Sequence, residues 1–226
     1  MKFRKVAVLT SSSSWFVPYA EALVAIIREK GLEASLFFDH RDIDGSFEIV
    51  LMLSYFKLVE KEFLAKHIHN IVVHESDLPR GRGWAPYFWQ VLEGKRRIPV
   101  TLFDASEGTD NGPVYLRDFI DLDGCELHDE LREAQANKTK ELCVKFLEEY
   151  EGLRPLEQKG ETTNYSRRTP EDGRIDSNKT IEEQFDLFRI AHNEEFPVFF
   201  EREGQKYFLK IYRDHRKDEK NKDKSR

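Results

Sequence analysis

Glu48–Leu53 reads EIVLML, one acidic residue followed by five apolar ones without interruption. Successive side chains of a strand point to opposite faces, so a strand with one wet face alternates polar and apolar residues. A run that does not alternate has both faces dry, as in a parallel sheet covered by helices on either side. The flanking segments fit the same plan. Lys5–Thr10 (KVAVLT) is a short apolar run ending in a serine cluster, and Ala34–Phe38 and Asn70–His74 are further strands. Pro18–Arg28 sets Ala22, Leu23, Ile26 and Ile27 at helical spacing, with Gly31 as a stop. Val59–His67 and Ala85–Glu93 predict two short helices and His128–Tyr150 a long one. Pro99–Phe103 predicts a fifth strand and Pro113–Asp121 another extended segment. Strands alternating with helices predict an α/β fold, a Rossmann-like, mostly parallel sheet. In such sheets ligands bind beyond the carboxyl ends of the strands, where Ser11–Ser14, Tyr55, His74 and Asp104–Asp110 are expected.

Past Glu151 the pattern changes. Gly152–Asn178 is rich in Pro, Gly, Thr, Arg and Asp and predicts a long ordered loop. Thr180–Ala191 returns to helix, and Val198–Glu201 with Tyr207–Tyr212 predicts a hairpin across REGQ. The expected organisation is a main domain over 1–151, a C-terminal loop, helix and β-hairpin appendage over 152–212, and a disordered tail over 213–226. That tail holds seven Lys/Arg, four Asp/Glu and no apolar residue.

Composition narrows the function classes. The 226 residues carry a formal net charge of −6, which argues against a nucleic acid as the main partner. No run of about 18 apolar residues predicts a membrane span, and the N-terminal apolar stretch is too short for a signal peptide. The expected location is the cytoplasm. Cys125 and Cys143 form no CxxC pair, so neither a thiolate metal site nor a disulfide is expected, and no other ligand cluster for a metal is visible.

The chemistry concentrates in Asn70–Pro86, NIVVHESDLPRGRGWAP, where a strand delivers His74 to the sheet edge and a Gly-punctuated loop follows. Alone, His74 reads as a strand-end histidine and Asp110 as a turn former. Together, His74, Ser76, Leu78, Pro79, Arg82, Gly83 and Pro86 match the signature of the N10-formyltetrahydrofolate-dependent formyltransferases. EGTDNGPVY, with Asp110 lying 36 residues after His74, resembles that family's downstream Asp turn. Ser166–Pro197, around PEDGRID, is similar to its post-catalytic segment. The resemblance spans roughly residues 48–212 and implies the formyltransferase fold, with 1–151 as its catalytic domain.

In that chemistry an amine attacks a formyl carbon, building an oxyanion and a positive nitrogen. An imidazole that stabilises the oxyanion and a carboxylate that accepts a proton are the groups required, and no metal is needed. The resemblance implies His74 and Asp110 as catalytic residues, with Asn111 as a further candidate. It implies N10-formyltetrahydrofolate as co-substrate, with Tyr55, Arg82, Gly83, Gly108 and Asp110 around it. Ser12, Ser13 and Trp15, after the first strand, are candidates for the acceptor's phosphates or sugar, with Ser14 as a helix cap. Lys57, which could meet a diphosphate, and Ser76 complete the acceptor set; Arg167 and Arg168 either meet phosphates or decorate a loop. One position departs: the family's Asn, two residues before the His, is Val72 here, and Asn70 lies too far down the strand to replace it.

Within the family, acceptors include initiator methionyl-tRNA, glycinamide ribonucleotide and nucleotide-linked amino sugars. The acidic charge and a short segment after the long helix point away from tRNA, and serines stand where the glycinamide enzyme has a glycine-rich loop. The resemblance is therefore greatest to small sugar N-formyltransferases of bacterial surface-glycan pathways, pseudaminic acid routes among them, with a nucleotide-linked amino sugar as acceptor. Hydrolysis of the formyl donor, or a catalytically silent folate or sugar-nucleotide binding module, are the alternatives. The aromatic-rich hairpin leaves a homodimer open, against burial on its own sheet.

Overall fold

The computed structural model describes residues 3–214. Six strands form the central sheet: β1 (Lys5–Leu9), β2 (Glu33–Phe37), β3 (Ile49–Met52), β4 (His69–His74), β6 (Arg97–Asp104) and β7 (Val114–Asp121), in the order β2-β1-β3-β4-β6-β7. The pairings among β2, β1, β3 and β4 are parallel; β4–β6 and β6–β7 are antiparallel. The mostly parallel reading of EIVLML holds at β3, whose four residues are all buried. Ile49 and Leu51 face one apolar layer with Val6, Val8, Leu23 and Ile27, while Val50 and Met52 face a second with Leu9, Phe47 and Phe63.

Helix α1 (Val17–Glu29) and the long α4 (His128–Glu149) cover the first face. α1 ends where the sequence places its stop, with Gly31 at φ +83° donating its amide to the Arg28 carbonyl. The second face carries only the short α2 (Lys61–Leu64), because the Ile68 and His69 amides bond the Glu48 carbonyl and draw the chain into β4. A two-residue strand, β5 (Arg82–Gly83), precedes α3 (Pro86–Leu92).

The sequence expectation fails in one respect that matters for the site. Because β6 runs antiparallel to β4, its carboxyl end lies at the opposite edge of the sheet from His74: Asp104 pairs with Ile71 and Thr101 with His74. Asp104 bonds His69 Nδ1 at 2.6 Å, and Tyr150 holds the other ring nitrogen at 2.7 Å. The loop 105–113 then doubles back over the face that carries Val72 and His74.

Beyond α4, β8 (Asn164–Tyr165) pairs in parallel with β5. α5 (Phe185–Arg189) is shorter than the expected helix and follows a 3₁₀ turn at Glu182–Gln184. β9 (Val198–Arg202) and β10 (Gln205–Leu209) form the hairpin. Glu203 and Gly204 have φ of 51° and 76°, so the turn needs only those two residues and the second strand starts earlier than the sequence suggests. Arg189 is 0 % exposed and clasps this appendage to the sheet domain, bonding the Glu126 carbonyl, the Glu126 carboxylate and Asp186. The expected tail, with His215, lies almost wholly outside the described residues. No described helix is long and apolar enough to cross a membrane.

Candidate active site

His74 is the last residue of β4 and only 7 % exposed. Its Nε2 stands 2.9 Å from the Gly81 carbonyl and 3.6 Å from Asp110 Oδ2. A carbonyl oxygen only accepts, so Nε2 carries a proton in this arrangement, and Nδ1 is the ring nitrogen without a partner among the described residues.

Asp110 reaches His74 because its loop is locally forced. Asp110 has φ 48° and Gly112 φ 127°, both in the left-handed half of backbone space. A Cβ on Gly112 would sit 1.9 Å from the Asp104 carbonyl oxygen, so the chain closes there only without a side chain. The Gly83 amide donates to Asp110 Oδ2 at 2.7 Å, fixing the carboxylate. Gly83 in turn lies against the Tyr165 carbonyl, where a Cβ would stand at 2.5 Å. Gln158 bonds the Asp110 and Gly112 carbonyls at 3.0 and 3.1 Å and accepts from Arg82 at 2.6 Å. Gln158 and Tyr165 were not singled out in the sequence; they sit in an aperiodic loop where nothing marks them.

The other candidates fall into separate groups. Asn111 accepts from Arg82 at 3.4 Å and donates its amide to the Glu107 carbonyl, and Gly108 lies in the same loop. Tyr55 binds His40 Nδ1 through its hydroxyl at 2.7 Å, and Lys57 pairs with Asp39. The Arg41 and Lys57 charges hold the Asp39 carboxyl well below the usual carboxylate range. Ser12 and Ser13 form an exposed turn; Ser14 accepts the Phe16 amide in a local turn but is not the expected cap, because α1 starts at Val17 with Phe16 at the N-cap position and no side-chain cap bond. Trp15 packs edge-on to Phe16 and lies under the Arg132 guanidinium, 4.3 Å away. Ser76 is 2 % exposed, its hydroxyl buried without a partner beside Gly81.

Val72 packs against Leu78, Phe103 and Val114, so the position of the family's Asn is part of a small apolar cluster. Asn70 cannot stand in, because its amide nitrogen donates to the Leu64 carbonyl at the foot of the strand. At the mouth, Phe56 and Trp84 are 53 % and 45 % exposed with centroids 6.5 Å apart, and Arg167 lies over the Trp84 ring. Among the described residues, no three His, Cys, Asp or Glu side chains are grouped to hold a metal.

The sequence profile of the formyl transferase family matches residues 41–147, which contain His74, Asp110 and the loop between them. Methionyl-tRNA formyltransferase of Rickettsia felis is 32% identical over 130 residues, 57% of this chain and 43% of that protein. The chain thus spans less than half the length of the curated relative it matches. HypX from Aquifex aeolicus, solved in complex with tetrahydrofolic acid, superposes with a TM-score of 0.75 at 17% identity, covering 93% of this chain and 38% of that one. A sugar N-formyltransferase from a Shewanella species gives a TM-score of 0.69 at 13% identity, covering 93% of this chain and 98% of that one. In this chain the antiparallel β6 and its returning loop are what bring His74 and Asp110 together.

Proposed function

We propose that the protein transfers a formyl group from N10-formyltetrahydrofolate to the amine of a nucleotide-linked amino sugar. The observation that carries this reading is the 3.6 Å approach of Asp110 to His74 at the sheet edge, with Gly83 holding the carboxylate. The donor supplies the activated formyl group. Phe56 and Trp84 fit its flat rings, being exposed aromatics at the mouth of the site. With Nε2–H committed to the Gly81 carbonyl, Nδ1 faces the reacting group, and when the ring carries its second proton Nδ1–H donates to the developing oxyanion. Asp110 takes the proton that the acceptor nitrogen sheds, directly or through water, and the tetrahedral centre collapses as the formyl carbon–N10 bond breaks and N10 leaves with a proton as tetrahydrofolate. Both groups are held by the backbone before any ligand arrives, so little reorganisation is left for the reaction.

The sugar acceptor is favoured by the acidic charge, which repels the phosphates of a tRNA. Incubation with the formyl donor and a panel of amino-sugar nucleotides, following tetrahydrofolate release, tests the proposal. Release that requires an amino sugar is the expected result; release without one indicates hydrolysis, and release that requires only aminoacylated tRNA moves the acceptor to that class. Folate binding without any release would leave a silent binding module. His74→Ala and Asp110→Ala are each expected to lower turnover by about 10²–10⁴-fold while the protein stays folded. Full activity in either removes these two residues from the mechanism.

A further inference from the structure

Two half-buried arginines form no ion pair among the described residues. Arg132, near the start of α4, lies between the rings of Trp15 and Phe88, 4.3 and 4.4 Å from their centroids. One of its amino groups donates to Gln135, but its Nε is buried with no partner. Arg168, in the loop after β8, has a buried Nε without a partner and forms no ion pair among the described residues. Between α3 and α4 the Tyr87 hydroxyl is also buried and unbonded, on a side chain only 1 % exposed. Burial lowers both guanidinium pKa values, that of Arg132 to about 10, and the like charge of Arg168 adds to the depression at Arg132.

Arg189 shows how this protein treats a structural buried arginine: two carboxylates and a carbonyl receive its donors. At Arg132 and Arg168 the buried Nε donors meet no acceptor among the described residues, and neither guanidinium has a carboxylate bound to it there. Guanidinium groups offer donors only, so the complement of this set is a ligand rich in acceptor oxygens and negatively charged. Glu75 gives the place. It follows His74 in the chain, its charge acts on Arg132 and Tyr87, and its carboxylate makes no hydrogen bond among the described residues. His74 turns to the face of Val72 and Asp110, while Glu75 lies toward the face of α1, α3 and α4.

We propose that Arg132, Arg168 and the Tyr87 hydroxyl seat phosphate oxygens of the acceptor on the α1–α4 side of the sheet edge, with Glu75 receiving a hydroxyl or ammonium donor beside them. The acceptor then crosses the end of β4, its anion on one side and its amine reaching His74 on the other. This assignment rests on the acceptor class proposed above and deepens it. Trp15 supports the seat by holding the Arg132 guanidinium flat, which accounts for its place after the first strand better than a direct contact with phosphate does.

Isothermal titration of the full chain without folate, using inorganic pyrophosphate and a nucleoside diphosphate as probes, tests it. Wild type is expected to bind the nucleoside diphosphate saturably, with pyrophosphate competing. Arg168→Gln and Arg132→Lys are each expected to weaken that binding about ten-fold, the loss of one charge-assisted contact. The Arg168 side chain makes no hydrogen bond or ion pair among the described residues, so Arg168→Gln is expected to melt at the wild-type temperature. Arg97→Gln, which alters a β6 cation resting on Phe119 of β7, serves as a charge-matched control and is expected to bind as wild type does. Absence of saturable binding to either probe, or binding that both arginine variants leave unchanged, overturns the assignment. Arginine-dependent anion binding without any formyl transfer would refute only the activity proposed above. Formyl transfer with anion binding independent of both arginines would refute only this seat.

Discussion

Gly112→Ala tests whether the Asp110 loop is set by backbone closure. The added Cβ would lie 1.9 Å from the Asp104 carbonyl oxygen, about 1.5 Å short of ordinary van der Waals contact, and the obstacle is backbone that cannot swing aside. A φ of 127° adds the strain of a side chain in left-handed space, on the order of 1–3 kcal/mol. Relief requires the loop 105–113 to lift by roughly the length of the clash. Asp110 is two residues away, and its carboxylate is positioned by a 2.7 Å bond from the Gly83 amide. A displacement of about 1 Å at a reacting group costs on the order of 10²-fold in rate. Gly112→Ala is therefore expected to lose about 2–4 kcal/mol in urea unfolding and about 10²-fold or more in formyl-transfer kcat/KM. Gly94→Ala is the matched control: its φ is 77°, but nothing lies within 4 Å of a Cβ there. It is expected to lose about 1 kcal/mol with turnover unchanged. Equal turnover in the two variants, or equal stability losses, would refute the claim that closure at Gly112 sets the carboxylate.

Other consequences are open to simpler measurements. Cys125 is exposed and Cys143 buried, with burial pushing the Cys143 thiol well above its usual range, so a thiol reagent is expected to titrate one cysteine in the native protein and two after denaturation. Burial lowers the His128 pKa below 6.5, so the unfolded chain binds the proton first and stability is expected to fall as pH drops below that value. Thermal melts across pH 5–8 should show a shallower slope in His128→Gln if that residue is a source. Arg189→Met leaves the Glu126 and Asp186 carboxylates facing an apolar side chain and is expected to destabilise the chain by about 3–5 kcal/mol in urea melts. A loss below about 1 kcal/mol would mean that the clasp is not structural.

Much of the sheet could be read from the sequence because burial on two faces leaves a continuous apolar run, as in EIVLML. The direction of β6 was misread, although the sequence held a clue. Only nine residues separate the observed ends of β6 and β7, too few for a helical crossover, and a connection that short joins antiparallel neighbours. His74 and Asp110 were legible as types at a spacing, but their contact depends on the left-handed backbone at Asp110 and Gly112, which spacing does not encode. Val72 was visible as a departure from the family pattern, and its apolar setting among Leu78, Phe103 and Val114 gives a packing reason for it. Arg132 escaped notice because α4 is rich in charge, and one cation among many reads as solvated until the rings of Trp15 and Phe88 are placed around it. Gln158 carried no periodic or motif signal at all.

The short β5–β8 ladder has a consequence for the order in which this protein matures. During synthesis the sheet strands and α4 emerge from the ribosome before Gln158, Asn164 and Tyr165 have been made. Until those residues arrive, the loop of Arg82 and Gly83 lacks its edge partner, and the Asp110 turn lacks the side-chain amide that ties its carbonyls. A nascent chain halted after α4 would thus hold His74 and Asp110 with neither yet locked in place, so competence is acquired last, from the C-terminal side.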